Sequence, residues 1–332
     1  MAFARIAGAC LLLVSLALVG PGPAATAASG PGPAERRVLA ISVDGLNPSA
    51  LTRLGRERAP ALHRLLDEGA STLNARTQVE STDTLPNHTS MVTGRRVLAS
   101  RGGHGVTWNT HRRGTTVQKA AGHEVDSVFT VAHGTGSTAL FAAKRKFSIF
   151  ERSWGADIDR VLIREGNDLG LMRAVRSDLA RAQRDFTFLH LAGPDVVGHA
   201  HGFMSSAYLT AVERIDALVG KLLRAIETHP DLAGTVVILT ADHGGAARQR
   251  HHDGARQYAN YRVPFVVWGS GIDGGDLYAM NTAYADPGRR RVFYSGRQPV
   301  RNGDLANLAL DLLGLGPVPG SKYDVRQRLG VG

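Results

Sequence analysis

Three carboxylates follow three runs of apolar residues, and such placement can build a site. Asp44 follows "RVLAISV", Asp195 comes shortly after "FTFLHL", and Asp242 follows "TVVILTA". Apolar runs without strict alternation are typical of strands covered on both faces of a parallel sheet. Ligands collect at the carboxyl ends of such strands, so we expect the three side chains to converge. A single Asp there would be interpreted as a turn or cap residue; the recurrence indicates a functional site.

Two of these carboxylates have a histidine at short spacing. His199 lies four residues after Asp195, and His243 is adjacent to Asp242. Carboxylate oxygen combined with imidazole nitrogen is a donor set that suits zinc. Each histidine could instead be a hydrogen-bonded surface residue, and His201 could compete with His199 as a ligand.

A third histidine is available from the segment "RQRHHDGARQYANYRVPF". His251 and His252 are adjacent there, and their residue types do not distinguish them. Counting back from Pro264 favours His252.

The segment "STDTLPNHTSMVTG", residues 81–94, carries the candidate nucleophile. A threonine hydroxyl attacks poorly unless a metal or a base lowers its pKa, so Thr84 between two cations could attack phosphorus. Pro86 would stiffen the turn, and the Asn87 amide could donate to a phosphoryl oxygen as charge develops. The alternative is a hydroxyl-capped turn followed by a helix through "HTSMVTG".

The remaining pattern predicts the elements that position these residues. "VPFVVWGSG" reads as a fourth strand, and "PALHRLLDEG" and "SSAYLTAVERIDALVGKLLRAIE" have helical spacing. The fold class is therefore α/β, with a mainly parallel central sheet flanked by helices. Residues 37–332 are predicted to form a single catalytic domain, and residues 100–127 to be a loop near the site.

Five segments together resemble the alkaline phosphatase superfamily, and most closely its type I phosphodiesterase/nucleotide pyrophosphatase branch, as a bacterial secreted member. They occur in order as "VDG" at 43–45, "TLPNHTSMVTG" at 84–94, "GPDVVGHAHG" at 193–202, "TADHGG" at 240–245 and "VPFVVWGSG" at 263–271. The segment "NGDLANLALDLLGLGPVPGS" also resembles the terminal helix of bacterial members.

The resemblance implies two Zn²⁺ ions and a phospho-threonine intermediate. One ion would be held by Asp195, His199 and a histidine of the 251–252 pair, with His252 preferred. The other would be held by Asp44, Asp242, His243 and the Thr84 oxygen. The substrate would be a small-molecule phosphate ester or a nucleotide, cleaved at a phosphodiester or pyrophosphate bond.

Other activities of the same superfamily are weighed against the nucleophile segment. A sulfatase would need Cys or Ser in a C/S-x-P-x-R context, which "TLPNH" does not provide. Phosphomonoester and phosphonate hydrolysis are kept as alternatives. The loop "HGVTWNTHRRG" at 104–114 could select the leaving group, with Trp108 stacking on a base and Arg112 or Arg113 meeting an acidic group, although an ordinary surface loop with a packed Trp is the alternative.

The N-terminus predicts export. Residues 1–28 carry an early Arg5, a short apolar run and the small-residue site "ATA", as a signal peptide does. Residues 29–36 would be a flexible leader, with no transmembrane anchor after cleavage. Cys10 is the only cysteine, so the mature secreted chain would have no disulfide.

The charge of the chain raises a hypothesis of another class. The 332 residues carry a net charge of +10, which could attract anions, as in a non-catalytic polyanion-binding protein. The basic residues are dispersed and are not interleaved with aromatic residues, which argues against a dedicated nucleic-acid module.

Overall fold

The computed structural model describes residues 1–2 and 36–332. The predicted signal peptide and leader lie outside the described residues, except at those few positions. Residues 34–332 belong to one compact unit. Among the described residues, no helix is both long and apolar enough to cross a membrane.

The described strands form one eight-stranded sheet with the order β4-β3-β5-β1-β6-β7-β2-β8. Strand β7 is antiparallel to β6 and β2, and every other pair of neighbours is parallel. The strands are β1 (Arg37–Val43), β2 (Ala70–Arg76), β3 (Thr138–Ala142), β4 (Arg160–Ile163), β5 (Phe186–Leu191), β6 (Thr235–Thr240), β7 (Arg262–Trp268) and β8 (Gly275–Asp276).

The central strands are apolar on both faces because helices cover both faces of the sheet. Every residue of β3, β5 and β6 is buried, as is every residue of β1 after Arg37. This explains why the sequence shows continuous apolar runs there instead of alternation. The predicted α/β class with a mainly parallel sheet is confirmed.

Twelve α-helices lie in the described part of the chain. The sequence predicted α2 and α9 from their helical spacing. The helices are α1 (Pro48–Arg58), α2 (Pro60–Glu68), α3 (Thr84–Thr93), α4 (Val117–Ala121), α5 (Val128–His133), α6 (Ser148–Trp154), α7 (Asp168–Ala182), α8 (Gly193–His201), α9 (Ser206–Thr228), α10 (Tyr258–Tyr261), α11 (Leu277–Met280) and α12 (Leu305–Leu312).

Helix α9 joins the core to the loops that carry the carboxylates. Its buried stripe includes Val212, Ile215 and Val219. At its start, the buried Tyr208 hydroxyl donates to the Gly45 carbonyl at 2.8 Å, directly after β1. Helix α9 therefore helps to fix the first of the site loops.

The segment at 100–127 is not entirely a loop. It contains α4, whose N-cap Thr116 accepts a hydrogen bond from the Lys119 amide. The buried Val117 side chain anchors this short helix in the core. The prediction of loop-like structure was wrong at Val117–Ala121, because five residues are too few to show a helical period.

Candidate active site

Four neighbouring parallel strands deliver polar side chains to one edge of the sheet. In the order β3-β5-β1-β6, the segments after these strands carry Lys144, Asp195, Asp44 and Asp242. The carboxyl ends of parallel strands meet at the same edge. All three carboxylates are almost completely buried. The predicted convergence of residues far apart in sequence is what the structure has.

Four buried polar atoms at this edge have no hydrogen-bond partner among the described residues: Asp44 Oδ1, Asp195 Oδ1, Asp242 Oδ2 and His243 Nε2. They lie together. His243 Nε2 is 3.3 Å from Asp44 Oδ1, 3.7 Å from Asp195 Oδ1 and 3.3 Å from Asp242 Oδ2. Unpartnered buried polar atoms are costly, so their clustering needs an explanation. Three oxygens and one nitrogen that converge in this way fit a divalent cation.

The histidine rings are oriented so that Nε2 faces this cluster. The Nδ1 atoms of His199, His243 and His252 lie 2.6–2.8 Å from the carbonyl oxygens of Arg250, Gly244 and Thr82. A carbonyl can only accept, so each Nδ1 donates. Fixing the proton on Nδ1 leaves Nε2 as a metal ligand, which is how histidines at metal sites are commonly held.

Two groups of side chains have the spacing of a metal site, and Asp195 belongs to both. One group is Asp195, His199 and His252, and the other is Asp44, Asp195 and His243. The ligand atoms within each group lie within 4.8 Å of one another. The resemblance assigned Asp195 to one ion only. In the structure its Oδ1 lies between the two groups.

The 251–252 histidine pair is divided between the site and solvent. His252 is buried, and its Nε2 is 3.4 Å from Asp195 Oδ1 and 3.2 Å from His199 Nε2. Its ring stacks on His243 with centroids 3.5 Å apart. His251 is exposed and is not a member of either group.

Lys144 is a cation at the site that sequence reasoning missed. Its Nζ lies 2.6 Å from Asp44 Oδ2 and 2.6 Å from Asp195 Oδ2. The ammonium therefore holds one oxygen of each carboxylate and leaves the unpartnered Oδ1 atoms facing the cluster. The two carboxylates outweigh the effect of burial and raise the pKa of Lys144, so it is charged. The signal was present in the sequence, since Lys144 follows the apolar run "TALFA" as the aspartates follow theirs.

His190 orients Asp44 from the opposite side. Its Nδ1 accepts a hydrogen bond from the Ala143 amide at 3.2 Å, so its Nε2 donates to Asp44 Oδ2 at 2.9 Å. Burial opposes ionisation of Asp44, but Lys144 and the hydrogen bond from His190 hold its pKa well below the usual value. Asp44 is therefore an ionised, fixed carboxylate.

The electrostatics of the cluster favour a cation. Burial and then Asp44 raise the pKa of Asp242 to about 8. Burial lowers the pKa of His243, but Asp242 and the other carboxylates outweigh it and raise that pKa to about 9. The clustered carboxylates are thus stabilised by positive charge, which protons supply on Asp242 and His243. A divalent cation would supply it instead and displace those protons.

Thr84 begins α3 beside this cluster. It is buried, and its hydroxyl has no hydrogen-bond partner among the described residues. Thr84 lines a cavity of about 680 Å³ together with Asp195, His199 and Lys144. The structure therefore places the predicted nucleophile on the same cavity as two of the predicted ligands, Asp195 and His199. The predicted helix through "HTSMVTG" is also present, so the helical alternative and the nucleophile prediction are compatible.

Asn87 does not have the free donor that the sequence prediction required. Its Nδ2 donates to the carbonyls of Ser81 and Asp83, and its Oδ1 accepts from the Gln78 amide and from Asn302 Nδ2. An Asn side chain offers two donors and one acceptor oxygen, and all are used. The expectation that Asn87 donates to a phosphoryl oxygen was therefore wrong. Asn87 instead holds the turn before α3.

Asn109 offers the donor that Asn87 lacks. Its Oδ1 accepts from the Leu85 amide at 3.0 Å and from Lys146 Nζ at 2.8 Å. These bonds orient the side chain on the cavity beside Thr84, and its Nδ2 has no acceptor among the described residues. Nothing in the local sequence pattern distinguishes Asn109 from an ordinary loop residue.

The loop at 104–114 contributes to the cavity through Asn109 and His111, and not through its Trp. The guanidinium of Arg112 lies 4.2 Å from the centroid of the Trp108 ring, and the partly buried ring packs against the core. The idea that Trp108 stacks on a base is not supported by this placement, since Arg112 already covers the ring. Neither Arg112 nor Arg113 lines the cavity.

The family of this chain follows from a match over most of its length. The profile of the Metalloenzyme superfamily matches residues 42–310. The chain belongs to this superfamily, whose alkaline-phosphatase-like fold is the one described above.

Individual relatives are similar over shorter segments or at lower identity. GPI ethanolamine phosphate transferase 1 of Candida glabrata is 34% identical over 116 residues, which are 35% of this chain and 12% of that protein. The Saccharomyces cerevisiae protein of the same name is 31% identical over 130 residues, 39% of this chain and 14% of that protein. The chain thus spans only about an eighth of the length of these relatives.

Solved structures share the fold. Murine ectonucleotide pyrophosphatase/phosphodiesterase 5, in complex with AMP, superposes with a TM-score of 0.61 at 14% identity, covering 86% of this chain and 96% of that chain. A 2-O GAG sulfatase superposes with a TM-score of 0.63 at 14% identity, covering 90% and 75%. At these identities the likeness extends to the fold alone.

Proposed function

We propose that this protein is a metal-dependent hydrolase that cleaves phosphodiester or pyrophosphate bonds through a phospho-threonine intermediate on Thr84. The observation that carries the proposal is the cluster of four unpartnered ligand atoms, which includes Asp195 Oδ1, because Asp195 lines the same cavity as Thr84. A hydroxyl without a partner beside such a cluster is suited to nucleophilic attack.

The donors favour two Zn²⁺ ions. Asp195, His199 and His252 would hold one ion, and Asp44, Asp242 and His243 would hold the other, next to the Thr84 oxygen. Bound divalent cations would lower the pKa of the Thr84 hydroxyl and neutralise phosphate oxygens. Mixed carboxylate and imidazole ligands support zinc over magnesium or calcium, which prefer oxygen alone.

The protein's own residues account for the course of the reaction. Thr84 Oγ1 gives its proton to water and attacks phosphorus, the bond from phosphorus to the leaving alcohol or phosphate breaks, and the leaving oxygen takes up a proton from water. Asn109 Nδ2 donates to a phosphoryl oxygen as negative charge develops on it. Lys144 and Lys146, both on the cavity, add positive charge around the phosphate. Water then attacks the phospho-threonine, which releases the phosphate product and restores the hydroxyl.

Transfer of the phosphoryl group to an alcohol is a second candidate. It is favoured by the sequence similarity to proteins named GPI ethanolamine phosphate transferase 1. The first half of the reaction would be the same, and an acceptor hydroxyl would replace water in the second half. A phosphomonoesterase or phosphonate hydrolase differs only in the ester accepted.

We further propose that the mature chain acts outside the cytoplasm on a small-molecule phosphate ester. The signal-like pattern of residues 1–28 supports export. Binding to polyanions without catalysis remains the proposal of another class, based on the net charge of +10.

Hydrolysis of bis(4-nitrophenyl) phosphate by the zinc-loaded mature chain tests the proposal. We expect release of nitrophenolate that is lost on chelation, restored by Zn²⁺ and absent in Thr84→Ala. Thr228→Ala, at the exposed end of α9, is the matched control and should keep full activity. Equal turnover by Thr84→Ala would reject the nucleophile. Products that appear only with added ethanolamine would favour transfer, and preferential turnover of 4-nitrophenyl phosphate or a phosphonate would favour those alternatives.

A further inference from the structure

A second cavity adjoins the catalytic one. It has a volume of about 530 Å³ and lies among the first turn of α7, α8 and the middle of α9. Its walls are largely aliphatic. The apolar side chains that line it are Leu169, Val197, Ala211, Ile215, Ala217 and Leu218.

The two cavities share part of their walls. Gly166 and Val196 line both of them. Val196 follows Asp195 directly on α8, so one turn of helix presents a carboxylate to the catalytic cavity and an apolar side chain to the border between the two. Val196 is half exposed, so the border between the two cavities is a surface that a bound molecule could follow from one to the other.

The exposed apolar side chains of this region are unusual for the molecule. Only six large apolar residues are exposed within residues 1–2 and 36–332, and two of them, Leu169 and Val196, line the second cavity. Leu169 is 45% exposed and Val196 is 50% exposed. Exposed apolar side chains that lie together beside a reactive site are typical of a ligand-binding groove, whereas single exposed apolar residues elsewhere on a surface are not.

The carboxylate and amide oxygens at this cavity are already engaged, and the exposed Arg214 is the one cation among the described residues that line it. The Asp168 carboxylate accepts hydrogen bonds from the Ala192 and Gly193 amides, both at 2.8 Å. Asn167 Oδ1 accepts from the Gly170 amide at 2.7 Å as the N-cap of α7. The cavity floor thus offers apolar contact and no waiting carboxylate or amide oxygen, which suits a hydrocarbon chain better than a sugar or a base.

We propose that the second cavity binds an alkyl chain attached to the phosphate ester, so that the substrates of this protein are amphiphilic, with the phosphate at Thr84 and the chain between α7, α8 and α9. The inference rests on the proposed function and names its substrate class. Burial of hydrocarbon strengthens binding roughly fourfold per fully buried methylene. An octyl chain that enters the cavity only in part should therefore still bind at least about tenfold more tightly than a methyl group.

Calorimetric titration of the zinc-loaded full chain with methyl phosphate and with n-octyl phosphate, below its micelle concentration, tests the proposal without turnover. We expect octyl phosphate to bind at least about tenfold more tightly. Leu169→Ser and Leu218→Ser should reduce this ratio severalfold. Leu98→Ser is the matched control, because Leu98 is 39% exposed and lies away from both cavities, and it should keep the ratio. Leu169→Ser changes an exposed residue, so it should fold even if Leu218→Ser does not.

The outcomes separate this inference from the proposed function. A ratio near one in the unmodified protein, a ratio that Leu169→Ser leaves unchanged, or no binding of either phosphate would overturn the inference. The parallel assay is hydrolysis of methyl and octyl 4-nitrophenyl phosphate. If octyl phosphate binds more tightly but neither ester is hydrolysed, the cavity assignment stands and the proposed function fails.

Discussion

At this site, the role of each side chain depends on which of its polar atoms have no hydrogen-bond or ion-pair partner. Lys144 pairs with one oxygen of each of two carboxylates, and backbone carbonyls accept hydrogen bonds from Nδ1 of three histidines. What remains is a set of ligand atoms that point at one another. Such preorganisation lets a site bind a cation without rearranging its ligands.

Lys144→Gln should weaken the folded state most when no divalent cation is present. Without the ammonium, Asp44 and Asp195 remain buried beside one another, and loss of one partner from a buried ion pair costs roughly 3–5 kcal/mol. Zinc would restore part of this loss, so thermal unfolding should show a larger zinc-induced rise in Tm for Lys144→Gln than for the unmodified chain. Lys119→Gln, which removes an exposed lysine, is the control. Equal rises in all three proteins would contradict the assignment.

Alanine variants of Asn109 and Asn87 should separate a loss of activity from a loss of stability. Asn109→Ala removes the donor on the cavity and should lower kcat for bis(4-nitrophenyl) phosphate by roughly 10²–10³-fold. Asn87→Ala leaves the buried Gln78 amide without its acceptor and should lower the free energy of unfolding by roughly 1–3 kcal/mol. Kinetics and thermal unfolding of both variants check this. Full kcat in Asn109→Ala would remove Asn109 from the reaction.

The identity of the ligand residues could be predicted, but the assignment of their atoms could not. Asp44, Asp195 and Asp242 each follow a strand, and the sequence alone shows this pattern as an Asp after an apolar run. The role of Asn87 depends on the partners Gln78 and Asn302, of which Asn302 lies over 200 residues away in the chain. Pairing between residues so far apart leaves no pattern in the local sequence. For this reason the sequence prediction gave the Asn87 side chain a catalytic role that the structure does not support.

The order of the strands in the sheet determines which loops meet at the candidate active site. The strands β3, β5, β1 and β6 are neighbours in the sheet, although they are separated in sequence by helices. The sequence predicts β1, β5, β6 and β7 from their apolar runs. It gives no prediction for β2, "ASTLNAR", because its polar residues and its register shift obscure any regular pattern.

The loop between β6 and β7 provides a test of how elements deliver ligands. It carries His251 to solvent and His252 to the cluster. His252→Ala should therefore weaken zinc binding at least about tenfold, as measured by calorimetry, because one imidazole ligand is lost. His251→Ala should bind zinc as the unmodified chain does. Similar losses in the two variants would mean that the loop is placed differently in solution.

For the molecule as a whole, burial of acidic groups couples stability to pH. Asp324, near the C-terminus of the chain, has Oδ1 bonded to the Tyr284 hydroxyl and to the Arg328 and Leu329 amides, whereas its buried Oδ2 has no partner among the described residues. Burial is the main cause that raises the pKa of Asp324 to about 6. The folded state therefore holds this proton more tightly than the unfolded state does.

The sign of the pH effect follows from this difference. As pH rises from about 4 to about 6, the unfolded state loses the proton first, so the contribution of Asp324 to stability falls and stays low above pH 6. Asp324→Asn should therefore be more stable than the unmodified chain at pH 7, by roughly 1–3 kcal/mol, and nearly equal to it at pH 4. Thermal unfolding across pH 4–8 checks this, with the exposed Asp273→Asn as control. A constant difference at all pH values would contradict it.

Trapping the covalent intermediate tests most directly whether this fold turns Thr84 into a nucleophile. Zinc-loaded chain would be mixed with bis(4-nitrophenyl) phosphate, quenched in acid, and digested for mass spectrometry of the peptide that contains residues 81–94. Because one nitrophenolate leaves and the other stays on phosphorus, we predict a 4-nitrophenyl phosphate ester on Thr84 in the unmodified chain and in Thr228→Ala, and none in Thr84→Ala. Turnover with the modification on another residue, or undiminished turnover by Thr84→Ala, would contradict the account.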